Sequence, residues 1–335
     1  MSDTTPAIEI RDLHKRYDGL HALKGIDLTI PRGRFFGLLG PNGAGKTTTI
    51  HILTGLVTHE RGDVRVLGRD VVEEYRFTRR QIGLAPQEFN FDRFFPIREI
   101  LVLQAGYYGV PRKEAERRAD DLLERFGLTG KANQKIQKLS GGMKRRLLIA
   151  KAMIHEPEIL ILDEPTAGID VELRRALWTY LRALNERGKT VLLTTHYIEE
   201  AEALCEEVAI IDRGEIVALG TPDHLIETGG DRYLEIHLTR PPEGPLPAAI
   251  ARRDPHVDGT RVVIGSKHPR RIAAEVMNAL YASGLEITEV RIVESSLEEV
   301  FVGLTGHGID QGPELAPPAV PDPAGAVEGE IHEEI

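Results

Sequence analysis

Apolar and polar residues alternate in strand-like fashion over residues 7–30. Ile8 and Ile10 stand early, Leu28 and Ile30 late, and Asp18-Gly19 supplies a turn signal between them. Phe35 to Leu39 is instead an unbroken apolar run that ends in a Gly-rich loop, and Thr47 to Leu56 then reads as a helix. Residues 96–138 are helical in pattern. Pro111 is placed to open one helix, and charged positions from Lys113 to Arg125 interleave with Leu122, Leu123 and Phe126. Gly142 to Met153 is another helix. Ile159 to Leu162 and Thr190 to Thr194 read as buried strands, with the helix Val171 to Asn185 between them. Buried strands alternating with helices predict an α/β fold with a mainly parallel sheet covered by helices.

A break follows at Glu227-Thr228-Gly229-Gly230. Beyond it Tyr233 to Leu238, Arg261 to Ile264 and Glu286 to Val293 read as strands and Pro269 to Ser283 as a helix, a small second α/β unit over 229–305. Residues 306–335 hold five prolines, seven acidic residues and few large apolar ones, which predicts a disordered tail.

Charge and composition add exclusions. Formal net charge is -10, but with seven acids in the tail the rest carries only about -3. No basic face emerges, so nucleic acid is not an expected partner. The one cysteine, Cys205, excludes an internal disulfide and reads as a small buried apolar residue. No run approaches the roughly 20 apolar residues that span a bilayer, and the N-terminus lacks a signal-like stretch. Any membrane role is therefore expected to come through a partner.

The Gly-rich loop is Gly40-Pro41-Asn42-Gly43-Ala44-Gly45-Lys46-Thr47. Its glycines let the backbone wrap closely around phosphate oxygens with N–H groups turned inward, and the following helix adds its positive end. Lys46 can reach β- and γ-phosphates, and the Thr47 hydroxyl suits Mg²⁺. Ile159 to Leu162 leads into Asp163-Glu164. Two carboxylates at the C-terminal end of an apolar strand stand where ligands sit in open parallel sheets. Asp163 would hold Mg²⁺, and Glu164 would polarise an attacking water. His196 ends a strand that can neighbour the Asp163 strand, within reach of a γ-phosphate.

These residues, with Leu139-Ser140-Gly141-Gly142-Met143, resemble the ATP-binding subunits of ABC transporters over roughly residues 7–225. Gln87, in Leu84-Ala85-Pro86-Gln87, looks like the Q-loop glutamine, Asp170 like the D-loop aspartate and His196 like the switch histidine. Tyr17 is placed like the aromatic residue that stacks on adenine. Met143 departs from the glutamine of many members, beyond the Ser-Gly-Gly contacts. The resemblance implies a P-loop ABC ATPase core over 7–228, with an antiparallel β subdomain and a helical subdomain at about 88–155. It implies that Tyr17, the loop from Gly40 through Thr48, Asp170 and the signature residues Ser140, Gly141 and Gly142 hold ATP. Thr47, Gln87 and Asp163 would hold Mg²⁺, and Glu164, His196 and Gln87 would serve hydrolysis. On the family's geometry the signature meets the ATP of a second copy, so a homodimer is implied.

Ser140-Gly141-Gly142-Met143-Lys144-Arg145-Arg146 and Ser296-Leu297-Glu298-Glu299-Val300-Phe301 resemble the subgroup paired with ABC-2 type permeases, which mostly export drugs, lipids or polysaccharides. That implies a cytoplasmic chain, peripheral on the inner face of the membrane and touching it only through the permease. The rival is a soluble ABC-type ATPase. One phosphate loop, one signature and no sustained heptads argue against it. Phe89, Phe91, Phe94 and Phe95 read either as core or as a groove for a permease helix. Arg145-Arg146 and Arg174-Arg175 read as solvated faces.

Overall fold

A computed structural model describes residues 5–166, 169, 171–229, 232–266, 268–294, 296–306 and 308–309. The chain opens with a hairpin of β1 (Ile8–Tyr17) and β2 (Leu20–Ile30), followed by β3 (Phe35–Leu39), the Gly-rich loop and α1 (Lys46–Leu53). Then come β4 (Arg61–Val66), β5 (Arg69–Asp70), α2 (Tyr75–Gln81) and β6 (Ile82–Ala85). Three α-helices lie between β6 and β7 (Ile159–Asp163): α3 (Ile97–Tyr107), α4 (Arg112–Arg125) and α5 (Gly141–Met153). Next are α6 (Val171–Glu186), β8 (Thr190–Thr195), α7 (Ile198–Leu204), β9 (Glu207–Asp212), β10 (Glu215–Gly220) and α8 (Pro222–Gly229). The C-terminal part holds β11 (Arg232–Leu238), α9 (Ala248–Ala251), β12 (His256–Asp258), β13 (Arg261–Gly265), α10 (Pro269–Ala282), β14 (Ile287–Glu294) and α11 (Leu297–Thr305).

The strands form three sheets. The central one has the order β10-β9-β3-β8-β7-β6 and is parallel except for β10. The inner strands β3, β7, β8 and β9 are buried along almost their whole length because both faces of the sheet are covered. On β3, Phe35 and Leu39 join one core and Phe36 and Leu38 the other; on β7, Leu160 and Leu162 oppose Ile159 and Ile161 in the same way. One core lies toward α3–α7, and the other toward the antiparallel sheet β2-β1-β4-β5 and α1. The third sheet, β12-β13-β11-β14, has its own core with α10, built on Leu234, Ile236, Val262, Ile264, Val276 and Leu280. The chain then returns: Leu297 and Phe301 of α11 are buried in the first core with Leu204 and Leu225.

Register decides where the loops emerge. Leu39 pairs with Thr195, Thr194 with Asp163, and Leu162 with Ala85. β3, β8, β7 and β6 therefore end at one edge, where parallel sheets bind ligands. No helix among the described residues is long and apolar enough to cross a membrane. Except for Gly306, Gly308 and Ile309, the acidic tail lies outside the described residues.

Two expectations change. Arg145 is not solvated: it is 4% exposed, and its Nη1 donates to the carbonyls of Pro86 and Gln87 at 3.3 and 3.1 Å. Arg146 donates to Phe126 O at 2.7 Å. Helix α5 packs under the segment after β6 and against the end of α4, so Arg145 and Arg146 satisfy carbonyls in those two places that would otherwise lack donors. The Phe cluster divides: Phe91 is buried in the first core, whereas Phe89, Phe94 and Phe95 are exposed.

Candidate functional site

The loop after β3 is held by contacts that only glycine permits. A Cβ on Gly40 would lie 2.3 Å from Ile211 O, and one on Gly45, at φ 114°, would lie 2.8 Å from Leu23 Cδ2 and 2.9 Å from Ala22 O. Gly43 also has positive φ, at 82°. Pressed this closely against β2 and β9, the loop has little freedom. The contact with Ala22–Leu23 also brings the end of the β1–β2 hairpin near, with exposed Tyr17 paired to Leu20. Tyr17 carries the Lys15 ammonium 5.0 Å from its ring centroid.

Lys46 opens α1 and is buried. Its Nζ donates to Gly40 O at 2.6 Å and Pro41 O at 3.0 Å, and lies 3.6 Å from Glu164 Oε1. Burial lowers the pKa of this ammonium, and the carboxylates of Glu164 and Asp163 oppose that shift. Thr47 Oγ1 lies 3.4 Å from Asp163 Oδ2. Asp163 also accepts from Thr194 Oγ1, across the β7–β8 pairing. A hydroxyl beside a carboxylate is an all-oxygen pair that suits a hard cation such as Mg²⁺.

Glu164 is where the site converges. It leaves β7 with φ 47°, a left-handed conformation that costs a non-glycine residue about 1–2 kcal/mol. Its N–H donates to Thr194 O at 3.0 Å, which holds the turn. Gln87 Nε2 donates to its Oε2 at 2.9 Å, and His196 Nδ1 lies 3.2 Å from its Oε1. The histidine contact is close but lacks hydrogen-bond alignment, so the ring is adjacent to the carboxylate rather than locked to it. Residues from four separate strand ends thus meet within a few ångströms: Lys46 and Thr47, Asp163 and Glu164, His196, and Gln87.

The signature stands apart from this cluster in its bonding. Ser140 caps α5, its Oγ accepting from Met143 N at 3.3 Å. Ser140 and Gly141 are exposed, and a Cβ on Gly141 would meet nothing within 4 Å. Asp170 lies outside the described residues. Sequence reasoning missed Thr194 and Arg145. The first lies in a strand read only as buried. The second was masked by its basic neighbours, and no residue pattern marks an arginine that will be buried.

A family model described as ABC transporter matches residues 23–167. The linearmycin resistance ATP-binding protein LnrL of Bacillus subtilis (strain 168) is 37% identical over 308 residues, covering 90% of this chain and 98% of that protein. The daunorubicin resistance ATP-binding protein DrrA3 of Streptomyces coeruleorubidus is 41% identical over 312 residues, covering 91% and 97%. Among solved structures, the ATP-binding cassette MJ0796, a post-hydrolysis dimer bound to ADP and Pi, aligns with a TM-score of 0.60 at 29% identity. It covers 64% of this chain and 98% of that one.

Proposed function

This chain belongs to the ATP-binding subunits of ABC transporters and hydrolyses ATP to power transport; from that premise we propose that it drives export through a separate ABC-2 type permease by closing as a head-to-tail homodimer. The exposed signature residues Ser140 and Gly141 at the N-terminus of α5, beside a hydrolytic cluster gathered on Glu164 that they do not bond to, are the observation that carries this reading.

The loop from Gly40 through Thr48 wraps the phosphates with backbone N–H groups, and Tyr17 stacks on the base. Lys46 exchanges its carbonyl partners for phosphate oxygens. Thr47 and Asp163 would hold Mg²⁺, and Gln87 would offer it the amide oxygen that is not engaged with Glu164. When bound, Mg²⁺ neutralises charge on the β- and γ-phosphate oxygens. Glu164 orients and deprotonates the attacking water, and His196 senses the γ-phosphate. Ser140, Gly141 and Gly142 present a hydroxyl and N–H groups at a helix N-terminus to the ATP of the second copy, where Asp170 also contributes.

The chain divides into the ATP-binding domain 7–228, with its helical subdomain at about 88–155, and a module over 229–305 whose last helix is moored to the ATPase core. The exposed aromatics Phe89, Phe94 and Phe95 form the permease contact, and that contact alone holds the chain at the inner face of the membrane. The test is Glu164→Gln. It should lower ATP turnover by about 100-fold or more while ATP binding persists, and should elute as a dimer in saturating ATP. A Glu164→Gln chain that stays monomeric under those conditions rules out the closure mechanism.

A further inference from the structure

A second buried carboxylate lies behind the first. Glu200, in the first turn of α7, has no exposed surface. Its Oε2 accepts from Thr195 Oγ1 at 2.7 Å and Thr166 Oγ1 at 3.2 Å, and its Oε1 accepts from Trp178 Nε1 at 3.2 Å. Thr195 Oγ1 also accepts from Tyr197 N–H at 2.9 Å while its own hydrogen goes to Glu200. His196 sits between Thr195 and Tyr197 and is therefore clamped through the backbone on both sides. Thr166 is two residues past Glu164, so the turn that carries the left-handed glutamate is tied to the same oxygen.

We propose that Glu200 is a positioning residue for hydrolysis: one buried carboxylate that ties the β8 end bearing His196 to the turn after Glu164 and fixes the spacing of those two side chains. The inference rests on the hydrolytic roles given above to Glu164 and His196. Burial raises the pKa of this carboxyl, and the three donors aimed at it oppose that shift. A carboxylate kept only for packing needs no such bridge between two strand ends. Burying a charge is costly, and an apolar side chain would fill the volume at less cost.

The donor arrangement yields a discriminating set of variants. An amide has a single acceptor oxygen. In Glu200→Gln that oxygen can keep both threonines, but its NH2 then faces the Trp178 N–H, donor against donor. Adding Trp178→Phe removes that conflict. With the full-length chain, kcat and KM for ATP are measured alongside melting temperature. Glu200→Ala is expected to lower kcat about tenfold or more with KM within about twofold, because small displacements of reacting groups cost rate rather than binding. Thr195→Val, which severs two bonds, should slow turnover more than Thr166→Val, which severs one. The Glu200→Gln, Trp178→Phe double variant should return to within about threefold of Trp178→Phe alone.

The inference fails if Glu200→Ala loses turnover only in proportion to its folded fraction. It also fails if both threonine variants keep kcat within about twofold, or if the double variant is as slow as Glu200→Ala. Should Glu200→Ala not fold, the threonine and double variants decide alone. Glu164→Gln and His196→Ala run in the same assay separate the two readings. If both retain wild-type turnover, the hydrolytic assignment fails and takes this inference with it. If both lose turnover while the Glu200 set is unaffected, only this inference fails.

Discussion

Arg145 shows how a single residue links two motifs. It lies five residues past Ser140, yet its guanidinium donates to the carbonyls of Pro86 and Gln87 and lies 5.0 Å from the Phe89 ring. Burial lowers its pKa, and the charges of Asp163, Glu164 and Glu200 oppose the shift. The cation therefore stabilises both the loop that presents Gln87 and the acidic site behind it. Arg145→Ala should cost about 1–2 kcal/mol by leaving carbonyls without donors, read as a lower melting temperature. It should also slow ATP turnover, because the Gln87 backbone loses its tether. Unchanged turnover at reduced stability would confine Arg145 to a packing role. Cys205 is the simpler case, 7% exposed with burial pushing its thiol pKa up, as its apolar reading implies.

At the scale of elements, the end of α5 is pinned to β6 through His155. Its ring stacks on Tyr108 with centroids 3.7 Å apart, and Nε2 donates to Ile82 O at 3.0 Å. Nδ1 is buried without a partner, so protonating it would bury an N–H with no acceptor. Burial accordingly pushes the pKa down to about 4. Because the unfolded chain takes up this proton near the ordinary value of 6.5, the contribution is complete above that pH and is lost as pH falls toward 4. Discounted for the ring's partial exposure, it amounts to about 2 kcal/mol. Melting temperature should fall from pH 7 to pH 5, and the fall should be smaller in His155→Phe, which keeps the stack without the titration. An equal fall in both would assign the loss to other groups.

The aromatic segment after Gln87 is also an element-scale question. Phe91 is committed to the core, so Phe91→Ala tests folding. Phe94 is 81% exposed. Phe94→Ala should leave ATP turnover of the isolated chain unchanged and weaken co-purification with the permease. Retention at wild-type levels would remove that side chain from the contact.

For the whole molecule, the proposed function divides the residues into two half-sites. The Gly40–Thr47 loop, Asp163, Glu164 and His196 gather at one sheet edge, whereas Ser140, among the described residues, bonds only locally at the tip of α5. If the signature serves the second copy's nucleotide, Ser140→Arg should abolish hydrolysis while ATP still binds at Lys46. Loss of ATP binding itself would contradict that division.

Much of this was legible in the residues because it is local. Glycines at 40, 43 and 45 permit backbone that no side chain allows, Asp18-Gly19 turns a hairpin, and unbroken apolar runs mark strands covered on both faces. The phosphate loop and the carboxylate pair, read as chemistry, needed only their neighbours. What brings Gln87, Asp163, Glu164 and His196 together is the strand order β3-β8-β7-β6 and its register, which joins segments more than a hundred residues apart. No local pattern encodes that order. It also decided that Arg145 turns inward, that Phe91 but not Phe94 is core, and that Glu200, one of two adjacent acids on a helix, is fully buried. Burial is a property of what packs on a residue, so chemistry was readable from the chain, but only the tertiary structure could say which charges share a site.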